Sequence, residues 1–244
     1  MSAWLCIAGL GPGDDAMVTP QVSLALAEAT DVLGYIPYVA RVAPRPGLVL
    51  HPSDNREELD RARTALALAA QGRRVVVVSS GDPGVFAMAA AVFEALEGHP
   101  DWQRLDVRVL PGVTAMLAAA ARAGAPLGHD FCVINLSDNL KPQSLIEQRV
   151  RAATGADMAM AFYNPRSASR PHTFERVLQL LREACEPERL LIFARAVSTP
   201  HEQLRCVPLS QAQADMADMR TLVIVGSSTT RRVGRYVYTP RSAS

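Results

Sequence analysis

Three short apolar runs in the first half of the chain each end in a turn that contains glycine and proline, and an alanine-rich segment follows each turn. The runs are Leu5–Ala8, Val75–Val78 and Val107–Leu110. Alternation of buried strands with helices is typical of a parallel sheet, because parallel strands need crossover connections. The four consecutive valines also suit a strand that is buried on both faces. The pattern therefore predicts an α/β fold with a parallel sheet.

The second half of the chain repeats this alternation. At 244 residues the chain is long enough for two domains of ordinary size. We place the boundary at Gly124, which gives an N-terminal α/β domain of residues 1–124 and a C-terminal α/β domain of residues 125–244. The segment Pro37–Pro52 is predicted to be a long loop. The predicted elements of the second domain are strands near Phe131–Leu136, Met158–Tyr163, Leu190–Arg195, Thr221–Val225 and Tyr236–Tyr238, and helices near Ser144–Ala153 and Thr173–Ala184.

The charge balance excludes some classes of partner. Lysine and arginine total 25 against 24 aspartates and glutamates, so no global field attracts nucleic acid or an anionic membrane. An anionic ligand must therefore be bound by local cations.

The apolar start Trp4–Leu10 lacks a basic segment before it, so we expect neither a signal peptide nor a membrane span, and we expect a cytoplasmic protein. The four cysteines form no C-x-x-C pair, and no metal site is predicted.

The three turns fall at the carboxyl ends of predicted parallel strands, where loops expose backbone N–H groups and helix N-termini to ligands. The first turn is Gly9-Leu10-Gly11-Pro12-Gly13-Asp14. The third glycine of the dinucleotide fingerprint G-x-G-x-x-G is missing at its expected place in this turn. This disfavours a Rossmann-type oxidoreductase. The turn also lacks the lysine and Ser/Thr of a P-loop, which leaves nucleotide triphosphate hydrolysis without support.

Four motifs in order resemble those of the tetrapyrrole methylase family. They are the Gly9–Asp14 turn, Ser80-Gly81-Asp82-Pro83, Pro111-Gly112-Val113-Thr114-Ala115 and Pro126-Leu127-Gly128-His129-Asp130. The resemblance implies two α/β domains with a cofactor cleft between them, S-adenosylmethionine as methyl donor and a homodimer. The residues that match the family's cofactor contacts by position are Pro12, Ser80, Gly81, Asp82, Val85, Thr114, Ala115, Asn164, Ala196 and Thr221.

A departure from the family pattern narrows the branch. Phe162-Tyr163-Asn164-Pro165-Arg166-Ser167 stands where the family usually has Tyr-Met-Gly. With the segments 135–142 and 225–231, it resembles the branch that methylates a corrin precursor of the cobalamin pathway with ring contraction. Metal-free and cobalt-containing substrates both stay open. Corrin precursors carry many carboxylates, so the expected substrate-binding residues are polar or cationic, namely Lys141, Asn139, Arg166 and Arg170.

Ring contraction also requires proton transfers. His129 and Asp130 are the candidates for this acid–base work, because histidine titrates near neutrality and the pair lies in the inter-domain segment. A structural role for the pair is equally compatible with the sequence. The apolar residues Ile36, Val39 and Val42, expected to be partly exposed in a monomer, add an argument for the homodimer.

Two further alternatives stay open. Another methylase of the same family would share the glycine loops but not the Asn-Pro-Arg-Ser segment at 164–167. A non-catalytic tetrapyrrole carrier would not need the loops at Gly9–Asp14 and Ser80–Pro83.

Overall fold

The computed structural model describes residues 3–54 and 57–242. The chain divides into two compact units, Met1–Thr114 and Ala115–Ser244. Both are α/β, as the sequence predicts. None of the helices within the described ranges is long and apolar enough to cross a membrane.

The first unit is built on a five-stranded sheet in the order β3-β2-β4-β1-β5, and every pair of neighbours is parallel. Its strands are β1 (Trp4–Gly9), β2 (Asp31–Tyr35), β3 (Val49–Ser53), β4 (Arg74–Ser79) and β5 (Val107–Leu110). Its helices are α1 (Pro20–Glu28), α2 (Ile36–Val39), α3 (Glu58–Ala70) and α4 (Met88–Glu97), with short 3-10 turns at Asp15–Met17 and Pro100–Arg104.

Hydrophobic cores cover both faces of this sheet. Successive residues of a strand point to opposite faces, so Leu5 and Val75 enter the core that contains α3 and α4, whereas Cys6 and Val76 enter the core that contains α1. All four valines at 75–78 are fully buried. The prediction of a strand buried on both faces is therefore confirmed.

The prediction of a long loop at Pro37–Pro52 is wrong. The segment contains the end of α2 and most of β3. Proline cannot donate a ladder hydrogen bond, but Pro52 lies in the edge strand of the sheet, where proline is tolerated. The sequence pattern also missed β2, whose first residue, Asp31, is a buried carboxylate.

The second unit contains a mixed five-stranded sheet in the order β10-β9-β11-β8-β7, in which only the β7–β8 pair is parallel among the described residues. A small sheet has the order β12-β13-β6. The strands are β6 (Gly124–Ala125), β7 (Phe131–Asn135), β8 (Ala159–Tyr163), β9 (Leu190–Arg195), β10 (Gln203–Pro208), β11 (Thr221–Val225), β12 (Arg231–Val233) and β13 (Tyr236–Tyr238). The helices are α5 (Ala115–Ala123), α6 (Gln143–Gly155) and α7 (Thr173–Ala184), with short 3-10 turns at Leu209–Gln211 and Ala214–Met216.

The core of the second unit forms where α6 and α7 pack on this sheet. Phe162, Phe174 and Phe193 are buried in it, and the rings of Phe174 and Phe193 meet edge to face with their centroids 6.0 Å apart. Strand β10, which the sequence pattern did not predict, lies at the edge of the sheet and begins with exposed residues. Its apolar signal is therefore weak.

A buried carboxylate joins three parts of the first unit. Asp31 is 1% exposed and accepts hydrogen bonds from Arg73 Nε at 2.7 Å and Thr30 Oγ1 at 2.7 Å, and its Oδ1 lies 3.0 Å from His51 Nε2. Burial alone would raise the pKa of Asp31, but the hydrogen bonds from Arg73, His51 and Thr30 hold this pKa below its usual value. The carboxylate therefore stabilises the start of β2.

We predict that Asp31→Asn lowers the free energy of unfolding at pH 7 by about 2–3 kcal/mol, because hydrogen bonds to a charged group are lost. The folded-state pKa of Asp31 lies below its unfolded value of about 3.9, so this contribution is present above that value and is lost as the pH falls through the folded pKa. Denaturant titrations from pH 7 downward should show the difference between the two proteins shrinking below about pH 4.

The matched control is Asp60→Asn, because the Asp60 side chain is 77% exposed and pairs only with Arg63 among the described residues. It should change the free energy of unfolding by less than about 0.5 kcal/mol. A difference between Asp31→Asn and the parent that does not vary with pH would contradict the prediction.

Candidate functional site

The three glycine loops of the first unit lie side by side at one edge of its sheet. They follow β4, β1 and β5, which are adjacent in the sheet and parallel, so their carboxyl ends meet at the same edge. The loops are Leu10–Asp14, Ser80–Gly84 and Pro111–Thr114. The structure therefore brings together Pro12, Ser80, Gly81, Asp82, Val85 and Thr114, all of which the sequence predicts as cofactor contacts.

Backbone hydrogen bonds join the first loop to the second. Gly11 N donates to Gly81 O at 3.2 Å, and Gly81 N donates to Gly11 O at 2.9 Å, which forms an isolated antiparallel bridge. Leu10 N donates to Ser79 O at 2.8 Å. The two loops are thus joined by the same kind of backbone hydrogen bonds that join neighbouring strands.

The first and third loops approach more closely than side chains would permit. A Cβ on Gly9 would lie 2.5 Å from Gly81 O and 2.8 Å from Gly112 Cα. A Cβ on Gly112 would also collide with Gly81 O and would lie 2.8 Å from Gly9 O. Only glycine fits at both positions. The glycines therefore set the spacing of the loops, in addition to permitting tight turns.

Arg41 binds carbonyl oxygens of the first loop, and it was not among the residues predicted from the sequence. Its Nη2 donates to Leu10 O at 2.7 Å and to Asp15 Oδ1 at 3.2 Å, and its Nη1 donates to Gly11 O at 3.3 Å. Arg41 follows α2, in the segment that was predicted to be a loop. No sequence motif marks it, because its partners are carbonyl oxygens about 30 residues earlier.

Two side chains of the second loop have defined partners. Asp82 accepts backbone N–H groups with both carboxylate oxygens, from Gly84 at 2.8 Å and from Gly112 at 3.0 Å. The side chain of Ser80 bonds to the phenol of Tyr38. Burial is the main reason why the pKa of Tyr38 is raised, and neighbouring Tyr35 adds to the effect. Ser80 and Asp82 are themselves partly exposed.

In the second unit, Asn164, Ala196 and Thr221 converge on one edge of the mixed sheet. Asn164 follows β8 and Ala196 follows β9, whereas Thr221 begins the antiparallel β11 and pairs with Arg195. The antiparallel register places all three at the same edge. These are the remaining predicted cofactor contacts, apart from Ala115 at the start of α5.

The backbone at this edge is strained. Asn164 has φ +51° and Ala196 has φ +48°, which is the left-handed region that non-glycine residues rarely adopt. Ser198, two residues on, has φ +62°, and its buried hydroxyl has no hydrogen-bond partner among the described residues. Such strain concentrates at functional sites. No pattern in the sequence marks Ser198.

Thr221 is held by a carboxylate. Its Oγ1 donates to Asp218 Oδ1 at 2.7 Å, and Arg195 Nε donates to Asp218 Oδ2 at 2.8 Å. Burial would raise the pKa of Asp218, but the hydrogen bonds from Thr221 and Arg195 lower it below its usual value. Thr221 is 4% exposed, so its hydroxyl orders the strand end.

Arg170 ties together the loops that follow β7 and β8. It is 8% exposed, and its Nη1 donates to Leu136 O at 3.4 Å and to Asn164 O at 3.2 Å. Asn135 reinforces the contact, because its Oδ1 accepts from Asn164 Nδ2 at 3.1 Å and from Ser137 N at 2.9 Å. The structure thus gives Arg170 a role in fixing these loops, which the sequence analysis did not foresee.

The other predicted substrate residues lie in the same two loops. Asn139 is exposed, and Lys141 and Arg166 are partly buried. Arg166 Nε donates to Pro171 O at 3.3 Å. Desolvation lowers the pKa of Lys141, and the positive charges of Arg149 and Arg170 lower it further. The cations therefore cluster at the edge that carries Asn164.

His129 and Asp130 lie elsewhere in the second unit. They directly precede β7, whereas Lys141 and Arg166 follow the carboxyl ends of β7 and β8. A five-residue strand spans roughly 17 Å, so the pair lies at the opposite end of the sheet. His129 Nδ1 accepts Asp130 N at 2.7 Å, and the Asp130 side chain is 88% exposed. Nothing in this arrangement supports acid–base work beside Lys141 and Arg166.

Tyr163 is a further residue that the sequence analysis did not single out as a site residue. Its phenolic oxygen accepts Met116 N at 3.0 Å, which links the end of β8 to the first turn of α5. This bond positions Ala115, the start of α5, relative to Asn164. The clue in the sequence was the departure from the family pattern at Phe162-Tyr163-Asn164.

Comparisons with known proteins agree with the motifs. Residues 5–213 match the model of the family described as Tetrapyrrole (Corrin/Porphyrin) Methylases. The chain is 49% identical to the precorrin-3B C(17)-methyltransferase of Sinorhizobium sp. over 99% of this chain and 97% of that protein. It is 38% identical to the probable cobalt-factor III C(17)-methyltransferase of Salmonella typhimurium over 97% of this chain and 98% of that protein.

A solved structure is also very similar. The crystal structure of the methyltransferase CobJ superimposes with a TM-score of 0.96 at 68% sequence identity, and the match covers 98% of this chain and all of that chain. The methyltransferase CobJ therefore has the fold described above for this chain.

We predict that Gly112→Ala pushes the third loop away from the first two and costs about 1–3 kcal/mol of stability, because the added methyl group overlaps backbone atoms that cannot rotate away. Hydrogen exchange should show faster exchange at the Gly112 amide, because the movement separates this amide from its acceptor Asp82 Oδ2 in the second loop. The matched control is Gly98→Ala, where the nearest atom, Ala95 O, lies 3.7 Å away and φ is −72°. Equal exchange rates in the two variants would show that the close approach does not order the loops.

Proposed function

Because the chain belongs to the tetrapyrrole (corrin/porphyrin) methylase family, we propose that it transfers a methyl group from S-adenosylmethionine to C17 of precorrin-3B, with ring contraction, in cobalamin biosynthesis. The observation that carries this proposal is the near-full-length similarity to the Sinorhizobium precorrin-3B C(17)-methyltransferase. The Phe162–Ser167 segment, which departs from the general family pattern, supports the same branch.

The second candidate substrate is the cobalt-containing counterpart. The Salmonella relative, a probable cobalt-factor III C(17)-methyltransferase, matches almost the whole chain at lower identity. The same site would serve either substrate, since both carry peripheral carboxylates. We therefore rank the metal-free substrate first on identity alone.

The loops of the first unit fit the methyl donor. S-adenosylmethionine has a zwitterionic end, a sulfonium cation and a flat adenine, and the loops offer backbone N–H and C=O groups with few bulky side chains. The glycine positions at which a Cβ would overlap backbone hold these loops at short distances from one another. We propose that Pro12, Ser80, Gly81, Val85 and Thr114 contact the donor in this unit.

In the second unit, the proposed donor contacts are Ala115, Asn164, Ala196 and Thr221. The left-handed backbone of Asn164 and Ala196 turns their peptide groups away from regular strand pairing. Strain of this kind concentrates at functional sites. The strained strand ends therefore support the assignment that the family resemblance implies.

When bound, the donor would supply an activated methyl group, and S-adenosylhomocysteine would be the leaving group. The residues of the chain align the two reactants and exclude water. We propose that Lys141 and Arg166 hold substrate carboxylates, with Asn139 beside them, and that Arg170 fixes their loops. His129 and Asp130 are not carried into this proposal, because they lie at the far end of the sheet.

The decisive test is product analysis. The purified chain is incubated with precorrin-3B and S-adenosylmethionine labelled in its methyl group, and the product is examined by mass spectrometry and absorption spectroscopy. A product that gains one labelled methyl at C17 and has a contracted ring is expected. Turnover of cobalt-factor III alone would move the assignment to the second candidate, and binding of a nicotinamide dinucleotide in place of S-adenosylhomocysteine would overturn both.

We predict that Arg166→Ala raises the KM for the corrin substrate by about one to two decades, because a forked guanidinium–carboxylate pair is worth about 1.5–3 kcal/mol. The affinity for S-adenosylhomocysteine should stay within a few-fold. Arg166→Lys should restore only part of the loss, because an ammonium group lacks the fork.

The matched control is Arg151→Ala, because Arg151 is 52% exposed and pairs with Glu183 on the helix surface. Its kinetic constants should equal those of the parent. If Arg166→Ala weakened S-adenosylhomocysteine binding and left the KM for the corrin unchanged, this loop would belong to the donor.

We also propose a homodimer, as the family resemblance implies. Two of the apolar residues that suggested an interface differ in exposure. Ile36 is 54% exposed, whereas Val39 is 3% exposed and lies in the core. The expectation that Val39 is exposed was wrong. Phe86 and Leu117, which are 49% and 50% exposed, add apolar surface. Sedimentation at micromolar concentration should show one species of twice the chain mass, and a monomer would contradict the proposal.

A further inference from the structure

Asp82 uses both of its carboxylate oxygens to bind backbone. Oδ1 accepts Gly84 N at 2.8 Å, which closes the turn of the second loop on itself. Oδ2 accepts Gly112 N at 3.0 Å, which ties that turn to the third loop, 30 residues later in the sequence. A single side chain therefore controls the shape of one loop and its distance from another.

Only a carboxylate satisfies both contacts. Each partner is an N–H donor, so an acceptor is needed on both sides of the side chain. An ionised carboxyl group presents two acceptor oxygens, whereas an asparagine amide presents one oxygen and an NH2 group that cannot accept. Asp82 is thus matched to its two donors, Gly84 and Gly112, in a way that its closest isostere is not.

The preceding residue, Gly81, is attached to the first loop instead of the third. Gly81 exchanges two backbone hydrogen bonds with Gly11 in the first loop. Consecutive residues, Gly81 and Asp82, therefore attach the second loop to the first and third loops respectively. These two attachments link all three loops through hydrogen bonds.

Resting on the proposed function, we propose that Asp82 is a positioning residue for the methyl donor, which it influences by fixing the backbone of the second and third loops without contacting the donor itself. This changes the role that the sequence suggested for Asp82 as a direct cofactor contact. Both carboxylate oxygens are directed at backbone donors of the chain.

The test is Asp82→Asn, assayed by calorimetry with three ligands. S-adenosylmethionine carries a sulfonium cation and an ammonium group, S-adenosylhomocysteine carries only the ammonium group, and 5′-methylthioadenosine carries neither. Loss of one loop attachment should weaken all three by the same factor, about tenfold, because one hydrogen bond to a charged group is lost. The melting temperature identifies any variant that fails to fold.

A direct contact would give a different pattern. If Asp82 paired with the sulfonium, Asp82→Asn would weaken S-adenosylmethionine far more than S-adenosylhomocysteine. If it paired with the ammonium group, 5′-methylthioadenosine would be spared. Either selective loss, or no loss at all, would overturn the proposal.

Hydrogen exchange on the ligand-free protein gives a second reading that does not depend on the proposed function. In Asp82→Asn, the Gly112 or Gly84 amide should exchange faster, whereas Asp60→Asn, on the exposed surface of α3, should leave both unchanged. If the parent chain bound none of the three ligands, the proposed function would fail. Unchanged exchange at both amides in Asp82→Asn would instead refute the attachment itself.

Discussion

The close backbone contact among three glycine loops is the constraint on which the first unit's site depends. The loops follow adjacent parallel strands, so their ends must share a space of about one strand separation, roughly 4.8 Å per neighbour. Gly9 and Gly112 permit this because they have no Cβ to collide with Gly81 O. The contacts therefore fix the positions of the three loops relative to one another. Loops fixed in this way suit a zwitterionic ligand, because peptide groups supply donors and acceptors without net charge.

In the second unit, polar side chains join the loops, as glycine contacts do in the first. Loop carbonyl oxygens that leave water need donors, and the guanidinium of Arg170 supplies them to Leu136 and Asn164. The amide of Asn135 binds both loops as well. These contacts hold Asn164 in a strained conformation. Lys141 and Arg166 can then hold their charges at a defined edge, which a chain of almost zero net charge requires for an anionic substrate.

Some features were predictable because their signals are local. The valine run at 75–78 and the glycine turns each occupy a few consecutive residues, and both appear in the structure as predicted. Strands β2 and β3 were not predictable in the same way. Asp31 opens β2 as a buried carboxylate whose burial depends on Arg73 and His51, and Pro52 is tolerated only because β3 lies at an edge. Their stability comes from partners that are distant in sequence.

The sequence by itself determined the α/β class, the order of the loops and the family to which the chain belongs, because repeated strand–turn–helix units and motifs are written in consecutive residues. Tertiary structure alone decided what the site residues do. Asp82 joins the second and third loops, and Arg41 binds carbonyl oxygens of the first loop. Arg170 is buried and joins the loops that follow β7 and β8. Tertiary structure also placed His129 away from Lys141. The physical reason is that each of these roles is set by hydrogen bonds or strand register between residues far apart along the chain, which no local pattern encodes.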